Sequence, residues 1–145
     1  MSDTIFSFIP KDPYHKLSSK TVAEIREQFG NGSKTKIGVL ERVEFADAGE
    51  NFETVSCPYC NSLSMGWWGE EMDNAYDIEE GFLSIDIITP CCEKETTLND
   101  LIYYFDQGFY RTIVVIDDDN VNIEKVVNDL EEITKIKWKS IIARI

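Results

Sequence analysis

FYRTIVVIDDDNVNIEKVVNDLEEITKIKWKSIIARI, residues 109–145, is the stretch whose reading decides the fold. Phe109 to Ile116 holds the apolar run Ile113, Val114, Val115 and Ile116, long enough for one buried strand and too short for a helix. Asp117 to Asn120 supplies turn residues. Ile123, Val126, Val127, Leu130 and Ile133 then recur at helical spacing, which gives one apolar stripe on an otherwise polar helix. Trp138 to Ile145 closes the chain as a strand. The whole reads as a β-α-β unit.

The first third reads the same way. Phe6, Phe8 and Ile9 predict a short strand closed by Pro10 and Pro13. Ser19 or Thr21 is placed to cap a helix, with Thr21 and Glu24 three apart as in a capping box. Val22, Ile25 and Phe29 share its face, and Gly30, Asn31 and Gly32 end it. Ile37, Val39, Val43 and Phe45 share one parity, with Glu41 the exception, which predicts a strand over 37–45. Two β-α-β halves in one chain predict an α+β fold: a ferredoxin-like sheet of four strands with two helices on one face. On this reading residues 1–145 form a single domain, interrupted by a cysteine-bearing, zinc-ribbon-like segment over 50–106.

That middle segment has its own pattern. Asp47, Gly49 and Asn51 make a turn, after which Phe52 to Ser56 is expected to pair back as a hairpin. Trp68, Met72, Ala75 and Tyr76 predict a helix stopped by Gly81. Phe82 to Ile88 predicts a strand running into Thr89 and Pro90, and Thr97 is placed to cap a short helix with Leu98, Leu101 and Ile102.

The four cysteines carry the chemistry. Cys57-Pro-Tyr-Cys60 is a CxxC turn after a strand, and 30 residues separate Cys60 from the adjacent pair Cys91 and Cys92. Four thiolates brought together suit Zn²⁺, which takes soft ligands in a tetrahedron. Adjacent side chains on an extended strand point to opposite faces, so Cys91 and Cys92 both ligate only if the backbone turns after Pro90. If one of them does not, His15, Glu93 or water takes the fourth position. The rival reading is redox: CPYC is the tetrapeptide of glutaredoxin active sites, and Thr89-Pro90 resembles their proline loop. That fold needs a helix opening at the second half of the motif. Asn61 to Gly69, with Gly66 and Gly69, starts a helix poorly, and the paired Cys91 and Cys92 are left without a role.

Composition narrows the classes. A hydrophobic share of 43% and an aromatic share of 12% belong to a folded chain rather than a disordered one. No apolar run reaches the roughly 20 residues of a membrane helix, and the N-terminus has no secretory pattern. A cytoplasmic protein is therefore expected, and in that reducing compartment four cysteines suggest metal or redox chemistry rather than disulfides. With 14 Lys and Arg against 27 Asp and Glu, the formal charge is -13, which repels nucleic acid. The one basic stripe, Lys135, Lys137 and Lys139 with Arg144, reads as a solvated strand face. Trp67 and Trp68 read as core, one of them over the metal, rather than as a recognition platform. The acidic run from Glu70 to Glu80 reads as a solvated helix face. Asp117, Asp118 and Asp119 lack the spaced ligands and terminal Glu of a calcium loop. His15 is the only histidine, and nothing pairs it with a nucleophile.

With these residues laid out, the chain resembles a group of small bacterial proteins, of no assigned function, that share a pattern FxDxGxNFExVxCPxC, then WW, PCC, LxxLxY and GF. Phe45, Asp47, Gly49, Asn51, Phe52, Glu53, Val55, Cys57, Pro58 and Cys60 carry the first part. Trp67, Trp68, Pro90, Cys91, Cys92, Leu98, Leu101, Gly108 and Phe109 carry the rest. Glu93 departs from the pattern, which has Gly after the paired cysteines. The resemblance implies a CPxC…PCC metal site and no activity. The expected protein is therefore a non-catalytic zinc-binding interaction module with a structural site at Cys57, Cys60, Cys91 and Cys92 and a protein partner. The alternatives are a thiol-disulfide oxidoreductase using Cys57 and Cys60, an acidic inhibitor or immunity-type protein, and a nucleic-acid-binding ribbon that the charge disfavours.

Overall fold

Four long strands make the main sheet: β1 (Thr4–Pro10), β2 (Thr35–Ala46), β9 (Gly108–Ile116) and β10 (Trp138–Arg144), with six short strands between β2 and β9. The structure, a computed structural model, describes residues 4–30, 34–118 and 120–145. The strand order is β10-β1-β9-β2, and every neighbouring pair is antiparallel. Helix α1 (Ser19–Phe29) joins β1 to β2, and α3 (Ile123–Thr134) joins β9 to β10. Ile25, Val126 and Leu130 from the helices pack with Phe8, Val114, Ile116 and Trp138 of the sheet. Each such side chain taken from water contributes roughly 2 kcal/mol.

The helix ends follow local chemistry. Ser18, rather than Ser19 or Thr21, caps α1, because its hydroxyl accepts from Thr21 N at 3.2 Å. Gly30 closes the helix at φ 85°, donating to Arg26 O; Asn31 and Gly32 lie outside the described residues. Asn122 caps α3 by accepting from Lys125 N. Lys135 ends α3 in the left-handed region at φ 63°. The predicted lysine stripe therefore does not form: Lys135 belongs to the helix cap, and only Lys139 lies within β10. Asp117 N donates to Lys34 O, and Asp118 accepts from Asn120 N, so this stretch is a turn; Asp119 lies outside the described residues.

A register shift between Val39 and Glu44 divides β2 into two halves. Ile37 and Val39 face the helices, whereas Val43 and Phe45 face a second core. That core belongs to the connection over residues 47–107. Ala46 and Gly108 are register partners, so this connection leaves and returns at one point of the β2–β9 ladder. Within it, β3 (Thr54–Ser56) pairs with β8 (Ile102–Tyr104), not with β2 as the hairpin reading expected. Val55 and Tyr103 point inward there, and their partners Ile85, Ile87 and Leu98 come from the chain between them.

Helix α2 (Met65–Ala75) stops at Ala75 rather than at Gly81, because Tyr76 turns extended and β4 (Tyr76–Asp77) pairs with β5 (Gly81–Phe82). The predicted strand over 82–88 is split. Leu83 and Ser84 leave the ladder, and β6 (Asp86–Ile88) pairs with β7 (Glu95–Thr97). Thr97 precedes a 3-10 turn, Leu98–Asp100, and bonds Asp100 Oδ2; Ile102 falls in β8 and not in a helix. Trp68 packs among Phe45, Phe52 and Tyr103, and Trp67 packs against the same cluster.

Candidate metal centre

The two cysteine pairs stand on two turns with one backbone frame. In the first, Cys57 N donates to Ser62 O at 3.0 Å, Asn61 N donates to Cys57 O at 2.9 Å, and Asn61 is left-handed at φ 60°. In the second, Thr89 N donates to Lys94 O at 2.9 Å, Glu93 N donates to Thr89 O at 2.7 Å, and Glu93 is left-handed at φ 56°. Residues 57–62 and 89–94 therefore correspond one to one, with Pro58 matching Pro90 and Cys60 matching Cys92. The correspondence puts Thr89 opposite Cys57, and Cys91 one place before the matched cysteine. This also explains why Gly suits the position of Glu93: a positive φ strains any residue with a Cβ.

The turn after Pro90 brings both adjacent cysteines to one site. The Sγ atoms of Cys57 and Cys92 lie 3.6 Å apart, those of Cys60 and Cys91 3.6 Å, and those of Cys91 and Cys92 4.0 Å. All four lie within 4.8 Å of one another, a group able to hold a metal ion. A disulfide needs about 2.05 Å. A tetrahedron with metal–sulfur bonds of about 2.3 Å has edges of about 3.8 Å, close to the separations of these three pairs. Neither His15 nor Glu93 joins the group.

Hydrogen bonds orient the sulfurs. Tyr59 N donates to Cys57 Sγ at 3.4 Å, Ser62 Oγ lies 3.0 Å from Cys60 Sγ, and Thr89 Oγ1 lies 3.2 Å from Cys92 Sγ. Burial pushes the Cys57 thiol up, but the amides of Cys60 and Tyr59 and the neighbouring sulfurs outweigh it, and its pKa falls below 9.0. The Ser62 hydroxyl and amide bring Cys60 down to about 6. Loss of solvent and the adjacent sulfurs push Cys91 up to about 11. Four thiols this close do not all ionise near neutral pH by themselves; a cation among them removes the repulsion.

The helix that a glutaredoxin-like site requires is absent from the motif. Asn61 turns left-handed directly after Cys60, and α2 begins only at Met65. Cys57 is buried, Cys92 is half-buried, and Cys60 and Cys91 reach the surface. What the sequence missed is Thr89, whose likeness to Cys57 shows in the pair CPYCNS and TPCCEK once both are read as six-residue turns.

No protein-family model matches the chain, and neither the curated proteins nor the solved structures contain a match to it. No comparison names the group of CPxC…PCC proteins that the sequence resembles; what the structure shows of that pattern is the clustering of its four cysteines. Several other residues of the pattern have structural tasks. Asp47 accepts from Gly49 N, Asn51 Nδ2 donates to Ile142 O at 3.0 Å, and Phe52 stacks on Trp68. Among the described residues, no helix is long and apolar enough to cross a membrane.

Proposed function

We propose that the protein is a non-catalytic, zinc-stabilised protein-interaction module. Cys57, Cys60, Cys91 and Cys92 would hold one structural Zn²⁺ in a zinc-ribbon-like insertion on a ferredoxin-like sheet. The observation that carries this reading is the set of four cysteine sulfurs at tetrahedral spacing, on two turns of matching backbone. Thiolates are the donors zinc prefers in structural sites, and four protein ligands leave no position for a substrate. The ion would clamp the 57–62 turn to the 89–94 turn. The order fourth, first, third, second of the long strands, all antiparallel, supports the ferredoxin-like reading of the sheet. The charge of -13 favours a protein partner over nucleic acid, and an acidic inhibitor of a basic protein is one concrete form.

Native mass spectrometry of protein purified without reducing agent or added metal tests this. One zinc ion per chain is expected. A mass lower by two protons with no metal sinks the zinc reading and revives the thiol-disulfide one.

A further inference from the structure

The charge of this protein is not spread evenly. Residues 47–107 carry 14 Asp and Glu against a single base, Lys94, while the rest of the chain carries 13 acids and 13 bases. The whole net charge of -13 therefore resides in the connection between β2 and β9, and the sheet-and-helix part is neutral. A tetrathiolate zinc would add two further negative charges.

The exposed apolar surface is concentrated in the same place. Of the twelve large apolar side chains exposed among the described residues, all but Tyr14 and Ile145 lie within 47–107. Four of them, Leu63, Ile102, Tyr104 and Phe105, lie on or beside the outer face of β3 and β8. Ser56 bridges to Ile102 on one side and to Leu63 on the other, so these two apolar side chains flank a small one on one face. Tyr104 continues the face opposite Thr54, with the Phe105 ring 5.4 Å from its own. Leu63 is 67% exposed, Ile102 49% and Tyr104 59%. Alternation along a half-buried strand calls for polar side chains at these outward positions. Exposed carboxylates of Glu53, Asp100 and Asp106 adjoin them in the chain.

From these two observations we infer that the outer face of β3 and β8 is a docking surface for a basic protein segment that carries apolar side chains between its lysines and arginines. The inference names the partner chemistry and surface of the interaction module proposed above, and rests on that reading. A second copy does not fit, because it brings the same negative field to the contact. Nucleic acid is repelled for the same reason. A purely cationic partner would leave Leu63, Ile102 and Tyr104 without a role. A cationic segment with apolar anchors satisfies both features, with the anchors supplying affinity and the charges steering the approach.

The test uses the full chain and three synthetic peptides of equal length: alternating Leu and Lys, alternating Ser and Lys, and alternating Leu and Glu. Backbone amide shifts and affinities are recorded while salt is raised from about 0.05 to 0.5 M. The Leu/Lys peptide should shift Thr54, Ser56, Leu63, Ile102 and Tyr104, and lose about tenfold in affinity as charges are screened. The Ser/Lys peptide, and a variant carrying Leu63→Ser, Ile102→Ser and Tyr104→Ser, should each give binding at least about tenfold weaker. Should that variant unfold, Glu53→Lys with Asp106→Lys leaves the apolar face intact and should weaken Leu/Lys binding severalfold. Shifts confined to the main sheet, equal binding of Ser/Lys, dimerisation through this face, oligonucleotide binding there, or no effect of the charge variant would each overturn the assignment. Zinc content is read on the same sample. A zinc-loaded chain that ignores the Leu/Lys peptide defeats the docking surface alone, whereas a zinc-free chain defeats the metal reading.

Discussion

The Thr89 hydroxyl oxygen lies 3.2 Å from Cys92 Sγ and 3.0 Å from the amide nitrogen of Lys94. It accepts the Lys94 amide proton, so its own proton is free to point at the sulfur. Thr89 thus stands where Cys57 stands in the first turn, but offers a hydrogen bond to a cysteine sulfur in place of a thiol of its own.

Removing that hydroxyl should be felt at the metal. Thr89→Val keeps the shape and loses both bonds, and should lower zinc affinity roughly 10- to 100-fold, as loss of a group that orients a ligand generally does. Thr89→Ser should retain it. Competition against a chromophoric chelator reads the difference; equal affinities for Val and Thr at this position would show the hydroxyl to be irrelevant to the ion.

Metal removal should loosen one core and spare the other. The ion would clamp two turns of the 47–107 connection, whose core contains Val55, Ile87 and Tyr103, while Phe8, Val114 and Leu130 belong to the helix-covered sheet. Hydrogen exchange after chelation should show protection lost around the first three residues and kept around the second three. A uniform loss would mean that the two cores unfold as one.

Tyr103 is the polar keystone of the first core. Its hydroxyl donates to Leu98 O at 2.6 Å and accepts from Trp68 Nε1 at 3.1 Å. Burial pushes its pKa well above the ordinary 10.0, so it stays protonated. Tyr103→Phe leaves a buried carbonyl and a half-buried indole N–H without this partner and should cost about 1–3 kcal/mol. Urea unfolding at constant slope measures it, and a cost near zero would mean that water replaces the hydroxyl.

Lys139 should give stability a rising slope in alkali. Burial lowers its pKa below 10.5, with Asp106 and Asp100 pulling the other way, while Nζ donates to Gln107 O at 2.6 Å. Between the lowered value and 10.5 the folded chain has released a proton that the unfolded chain still holds, so stability rises with pH across that window. Below the window the penalty of burying the charge is present in full. The unfolding free energy of the native chain should climb relative to that of Lys139→Met as pH enters the window; parallel curves would refute the assignment.

Much of the sheet and its helices was legible because their periods are strong. Ile113 to Ile116 read as a strand by their β-branching and short length, though Ile113 and Val115 are only half-buried, and the stripe from Ile123 to Ile133 has one helical face. The middle was less legible because short strands take their partners from distant residues. Nothing local tells Thr54–Ser56 to choose Ile102–Tyr104 over β2, or tells Phe82–Ile88 to break at Leu83. The site was legible as four cysteines, but not as a repeated turn. Adjacent Cys91 and Cys92 hide the match, which appears only when Glu93 is seen to be left-handed like Asn61. Lys135 misled for the same reason: alternation along 135–139 mimics a strand, and the left-handed residue that ends α3 carries no signal in its neighbours.

The contacts at Gly49 have a mechanical meaning. The 47–107 connection joins the sheet through Ala46 and Gly108, which sit side by side in one ladder. Those two points alone would form a hinge, but Val43, Phe45 and Phe109 of the sheet share the connection's core and restrict any swing. Gly49, at φ 59°, lets the chain pass so close to Arg144 that a Cβ would strike its carbonyl. Arg144 N donates to Ala48 O, and Glu50 N donates to Arg144 O. Together with the bond from Asn51 Nδ2 to Ile142 O, they tie residues 48–51 to β10, at the opposite edge of the sheet from β2. The acidic body is thereby held at one angle to its neutral base, so whatever it meets encounters a surface of fixed orientation.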